Sequence, residues 1–445
     1  MAAGVALLLV VAVVLLQFSG RANLIGLGLA GLIAVAVIFQ WPFLGALYSS
    51  FSLFGGIAGF IPGIDTIIIV LTLSAFIGRK LLSADPVWRF PAAARWAILL
   101  IAWSTATIAW AVSTEKAMEI LVLLLKSFLL FLVILEAAQS HRKIVLLTLA
   151  ALLGVLVSVS VAAYSGLQFF FGGAAAELSQ HVAVETTRLF GVWFDPNYFA
   201  LALLTLIGLS LAIWRTRLAF GARSLAVLGF SALLIGIVLT LSRGGLLSAV
   251  LALMFCVWAE RRRLRLLVFI GLVVTLVLIF VPIGLGERMG TFLAPGGDAS
   301  FQTRGLQLRG GIEMAIAAFP FGVGLGNYFY HSLTYVKLSH QVMSHNSYVD
   351  LAAEGGVLAL FFYGGLVVSL FLATRTRNSR WEATALADNL AIGLRISLIA
   401  FLLGATFLTA EVFAPFWWLA GLIAAKALCD RELAEHDQNA LAPVR

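Results

Sequence analysis

The sequence predicts an all-α, polytopic integral membrane protein of about twelve to fourteen transmembrane helices with a large non-cytoplasmic loop, on three observations. Of 445 residues, 62% are hydrophobic and 11% charged, against about 45–50% and about 25% in a soluble globular chain. Apolar stretches of roughly 17–25 residues, the length that spans a bilayer as a helix, recur along nearly the whole chain. They are rich in Leu, Val, Ala and Ile without period-two alternation, which selects helices over barrel strands.

The elements follow in order. The stretch 4–18 has no Lys or Arg before Arg21, so it lacks the basic head of a cleaved signal and reads as a retained span. Further spans are expected at 23–40, 43–60, 64–78, 96–112, 117–137 and 143–163. A loop from Tyr164 to Asp195 leads to spans at 196–214, 223–241, 244–259 and 265–283, and a longer loop leads to 354–374, 388–409 and 412–428. This divides the chain into N-terminal helices (1–163), a second membrane unit (164–428) whose outer loop covers about 284–350, and a polar cytoplasmic tail (429–445) expected to fray.

The net charge of +8 does not point to nucleic acid. Most basic residues lie in short joins: Arg79 to Arg95, Arg142-Lys143, Arg215 to Arg223, Arg261 to Arg265 and Arg375 to Arg380. These read as cytoplasmic by the positive-inside rule, which also puts both termini in the cytoplasm. Cys256 and Cys429 have no spacing that suggests a disulfide or a metal. P-loop, CxxC, HExxH and Asp-x-Asp patterns are absent, so no cofactor and no metal is expected.

Within the outer loop, residues 306–319 carry apolar side chains at helical spacing, as for a helix lying on or just inside the outer membrane face. Pro320 to Asn327, with three glycines, reads as a helix stop and a flexible turn.

Three residues beside apolar segments on this outer side are the candidates for chemistry. Arg243, in Ser242-Arg243-Gly244-Gly245, is pinned at the membrane surface because the join is too short for a loop. The glycines admit close backbone approach and leave amides for an anion; the plainer reading is a tight turn with a snorkelling arginine. Arg304 starts the interfacial helix, where a cation meets the positive end of the helix unless an anion is bound; it reads otherwise as a solvated arginine paired with Asp298 or Glu313. His345, in Ser344-His345-Asn346-Ser347-Tyr348, opens the helix leading to the span at 354 and titrates near neutral pH. A lone histidine is more often structural. Two arginines suit a phosphate or pyrophosphate, and a histidine beside them suits proton transfer.

Weaker candidates surround these. Arg188 is a further phosphate or sugar contact, and Arg309 a second arginine on the interfacial helix. Asn346, Asp350 and Glu354 share a helix face at i, i+4, i+8, and Tyr348 lies beside them. Asp195-Pro196-Asn197 suits a helix N-cap. Lys126 sits mid-span, a functional position by default, with Glu119 or Glu136 as a possible partner; Glu411 joins the last two spans.

The order of these motifs resembles the O-antigen ligase and polymerase superfamily of bacterial envelope glycan transferases. The resemblance rests on Leu241-Ser242-Arg243-Gly244-Gly245, on Arg304 with Pro320 to Asn327, and on His345-Asn346-Ser347-Tyr348 with Glu354-Gly355-Gly356, and covers roughly 190–375. Leu308 stands where the family often has an aromatic residue. The resemblance implies a metal-independent, inverting glycosyltransferase of the bacterial inner membrane with its active site facing the periplasm. It would move a glycan from undecaprenyl pyrophosphate to an acceptor hydroxyl, on lipid A–core for a ligase or on another lipid-linked glycan for a polymerase. Arg243 and Arg304 would hold the pyrophosphate, and His345 would be the general base. A small-anion transporter is the competing class; it would show repeated halves and broken mid-membrane helices, which the sequence does not display.

Overall fold

The computed structural model describes residues 23–57, 63–83, 90–171, 195–260, 262–280, 299–376 and 382–441. Among these the chain is helical, with no strand. The first half comprises α1 (Asn23–Gln40), α2 (Pro42–Gly55), α3 (Ile64–Leu81), α4 (Ala92–Ala106), a 3₁₀ turn (Thr107–Trp110), α5 (Thr114–Ala137) and α6 (His141–Phe171). Then come α7 (Pro196–Leu204), α8 (Ile207–Arg215), α9 (Phe220–Leu239), α10 (Arg243–Ala259) and α11 (Arg263–Phe280). The segment that follows carries α12 (Ala299–Ala317) and α13 (Tyr328–Tyr335), and the chain continues with α14 (Ser347–Ala373), α15 (Glu382–Gly404), a 3₁₀ turn (Ala405–Phe407) and α16 (Ala414–Leu441).

Among the described residues, seven helical segments are long and apolar enough to cross a membrane, or eight if the bent pair α1–α2 is one span. That pair differs from the two spans the sequence suggests: Pro42 starts a new helix and the axes turn by 116°. Proline cannot donate the amide that would continue α1. The tail also differs from expectation, since α16 continues through Leu441. Its exit from the core is held by Asp430, which accepts from His141 Nε2 (2.9 Å) and pairs with Lys426 Nζ (2.7 Å).

The α7–α8 segment is the most buried span and organises the rest. Its helix breaks at Thr205-Leu206, and Ser397 Oγ of α15 accepts from the amides of Gly208 and Leu209 just beyond the break. A backbone break at membrane depth needs such partners. Gly208 and Gly393 let α8 and α15 cross closely: a Cβ on Gly208 would lie 2.2 Å from the Gly393 carbonyl oxygen. Aromatic packing of Phe131, Phe401, Phe416, Trp417 and Trp418 fills the neighbouring core, and Trp418 Nε1 donates to Ser50 Oγ (2.9 Å).

The joins segregate. Those with basic residues meet at one end, where Lys80 pairs with Glu136, Arg215 donates to the Ala259 carbonyl, and Arg395 donates to Thr374. The other joins meet at the opposite end, and the candidate residues lie there.

Candidate active site

Three strand-free joins and the outer helices are tied together at this end by hydrogen bonds. α14 starts under an N-cap, Asn346, whose side chain accepts from the amides of Tyr348 and Val349. Its amide nitrogen donates to the Thr406 carbonyl (3.0 Å). Ser347 Oγ donates to Leu408 O and accepts from Ala410 N, and Tyr348 OH donates to Leu402 O. Asn346 and Tyr348, candidates for substrate contact, thus have side chains engaged in fixing the start of α14 against the 402–410 segment.

That start is where His345 stands. It adopts φ 52, the left-handed region, which is costly for a residue with a Cβ. Leu241, two residues before Arg243, has φ 53. These are the non-glycine residues with positive φ among those described, and both adjoin the candidate residues.

Ser242 caps α10, its Oγ accepting from Gly245 N (3.2 Å). The Gly245 amide is therefore committed within the turn, contrary to the expectation that both glycines offer free amides. The glycines instead admit neighbours: a Cβ on Gly244 would lie 2.7 Å from Phe407 Cγ, and one on Gly245 2.6 Å from Ala200 Cβ. Arg243 is left as the first residue of α10, half-buried.

Arg304 is not at the start of its helix. α12 begins at Ala299, because Ser300-Phe301-Gln302-Thr303 is helical although, apart from Phe301, it carries none of the apolar periodicity. Arg304 lies in the second turn, half-buried, and lines a crevice together with Ser242, Gly244, Gly245, Asn197 and Phe407. Residues from α7, α10, α12 and the 404–408 segment thus meet at one spot beside Arg243. α12 docks through Gly310 and Gly311, where a Cβ would meet Tyr335 of α13 and Val336 just past it, or Val349 of α14 and Tyr328 of α13.

His345 belongs to the same electrostatic neighbourhood. Burial first, and then the positive charge of Arg304, push its pKa below the ordinary value of 6.5; the carboxylate of Asp195 pulls it back up. The imidazole is therefore held neutral near pH 7 and can accept a proton. Asp195 also caps α7, its carboxylate accepting from Asn197 N and Tyr198 N.

The remaining candidates are placed as follows. Glu354 is 7% exposed, and its carboxylate accepts from Gly326 N (2.7 Å) and Tyr328 N (2.9 Å). It clamps the glycine turn. Arg309 is exposed and pairs with Glu313 one turn on (3.0 Å). Asp350 is 1% exposed and accepts from Thr409 Oγ1 (2.5 Å). Lys126 is exposed mid-span on α5; the partners considered for it are engaged elsewhere, Glu119 with Lys116 and Glu136 with Lys80. Glu411 is buried and lines an internal cavity with Glu354. Arg188 lies outside the described residues.

Sequence reasoning missed Asn197, Phe407 and the electrostatic role of Asp195. The Asp-Pro-Asn signal was visible, but as a helix cap.

No curated protein matches the chain. Residues 228–364 match the family model described as O-antigen ligase, an interval that contains Arg243, Arg304 and His345. Over this segment the chain, an all-α polytopic membrane protein, is similar to the O-antigen ligase family.

Proposed function

We propose that this protein transfers a glycan from undecaprenyl pyrophosphate to an acceptor hydroxyl at the periplasmic face of the bacterial inner membrane, as an O-antigen ligase with lipid A–core as acceptor. The observation that carries the reading is the meeting of Arg304 with the Ser242–Gly245 turn in one crevice, with His345 close enough to feel the charge of Arg304. In this reading His345 takes the proton from the acceptor hydroxyl. The oxygen attacks the anomeric carbon, the bond from that carbon to the pyrophosphate oxygen breaks, and the electron pair leaves with the pyrophosphate. Arg243 and Arg304 offset the charge that grows on the leaving group. Attack opposite the leaving group inverts the configuration. No metal is assigned a role. Arg188 and Arg309 are reserved as outlying contacts to the glycan or pyrophosphate. Asn346, Tyr348 and Glu354 support the site by holding its backbone.

The test is the lipopolysaccharide profile of a deletion strain beside its undecaprenyl-linked glycans. Loss of all O-antigen from lipid A–core, with long chains stranded on undecaprenyl pyrophosphate, supports a ligase. Core bearing a single repeat identifies a polymerase acting on another lipid-linked unit. No change in either pool overturns the proposal.

A further inference from the structure

At the end of the molecule opposite His345, a groove of about 510 Å³ runs between α4, α14 and α16, within the ~300–1,000 Å³ range of ligand pockets. The groove's mouth lies past the C-terminal end of α14 and His345 just before its N-terminal end, so the two belong to opposite ends of that helix. Its walls are apolar side chains: Trp96 from α4, Val368 and Leu372 from α14, Ala424 and Leu428 from α16. Its mouth holds Arg375, just past α14, and Arg431 of α16. Among the described residues neither guanidinium has a hydrogen-bond or ion-pair partner, and both are exposed. Asp430, the one carboxylate among the described residues lining the mouth, is held by Lys426 and His141. The first turn of α4 also faces the mouth without a capping side chain or an acidic residue, which adds partial positive charge.

An apolar groove open to lipid, with two arginines that are uncompensated among the described residues at the level of the basic joins, is complementary to one kind of occupant. We propose that this groove is a binding site for an anionic phospholipid, with the phosphate between Arg375 and Arg431 and an acyl chain against Trp96, Val368 and Leu428. Basic pockets between transmembrane helices on the basic side of a protein take such head groups. Guanidinium forks suit a phosphate better than an ammonium does.

The experiment uses the full chain in nanodiscs and native mass spectrometry to count retained lipids, with phosphatidylglycerol and phosphatidylcholine supplied together. The wild type should retain phosphatidylglycerol in preference by roughly 30-fold, the effect of two arginines at a membrane surface. R375Q/R431Q should abolish the preference while the thermal midpoint in phosphatidylcholine stays unchanged. Ala427→Phe, which fills the groove, should reduce retention of phosphatidylglycerol with both arginines in place. Equal retention of the two lipids by the wild type overturns the proposal. So does a preference that survives R375Q/R431Q. A third outcome also overturns it: R262Q/R263Q, in a basic join elsewhere, removing as much preference as the groove pair, because the attraction is then diffuse.

Discussion

His345 is held in left-handed backbone beside Arg304 and Asp195, and this makes its titration the sharpest test at the residue scale. Burial and Arg304 depress its pKa below 6.5, so the neutral base survives into mildly acidic solution and transfer should fall only below the ordinary histidine midpoint. Arg304→Gln removes a like charge, so the acid limb of the pH–rate profile should move to higher pH, besides any loss of rate. Asp195→Asn removes the opposing charge while keeping a competent helix cap, so the limb should move to lower pH. A profile that both variants leave in place would rule out His345 as the titrating base. His345→Ala should cost at least about 100-fold in transfer, measured with purified protein and lipid-linked donor. At this scale the sequence singles out Arg243 and Arg304, because in each a cation stands next to an apolar run. It was silent on Asp195 and Asn197 as members of the same neighbourhood. Their approach to Arg304 crosses more than a hundred residues, and no local pattern encodes it.

At the scale of elements, the site depends on a helix that breaks. Within α14, Gly356 has φ 64 and ψ −160, and the carbonyls this frees at Ala353 and Glu354 accept from the amides of Val323 and Gly324. A Cβ on Gly356 would lie 1.9 Å from the Pro320 carbonyl oxygen, so the break and the outer turn interlock. Glu354→Ala leaves two buried amides, those of Gly326 and Tyr328, without acceptors. The expected loss is about 2–4 kcal/mol, seen as faster hydrogen exchange over residues 318–335. Ser242→Ala should cost about 1 kcal/mol through the lost cap of α10, with a far smaller effect on transfer than Arg243→Ala. The glycines of both turns and the helical spacing of 306–319 were readable as turn and helix. The start of α12 at Ala299 was not, because Ser300 to Thr303 lack the apolar repeat from which a helix is read.

At the scale of the whole molecule, the alternation of basic and non-basic joins anticipated which joins meet at which end. That inference needs only crossings and charge. The bend at Trp41-Pro42 was beyond it, since two apolar runs separated by a proline look alike whether they make two spans or one bent pair. The tight crossing of α8 and α15 makes a prediction here: Gly208→Leu should abolish the monodisperse folded peak in size-exclusion chromatography, because Gly393 leaves no room for a side chain. Leu247→Ala, on an exposed surface, should not. The outer turn is also seated on the first half of the chain. Trp110 Nε1 donates to Gly322 O, Trp103 Nε1 to Gly355 O, and Asn327 exchanges hydrogen bonds with Ser113, over separations of 212, 252 and 214 residues. During translation at about 5–20 residues per second, these indoles wait roughly 10–50 s before the ribosome has made the carbonyls they bind. The nascent chain therefore carries half a seat through most of its insertion, and competence for transfer arrives late, when the last third of the polypeptide closes onto the first.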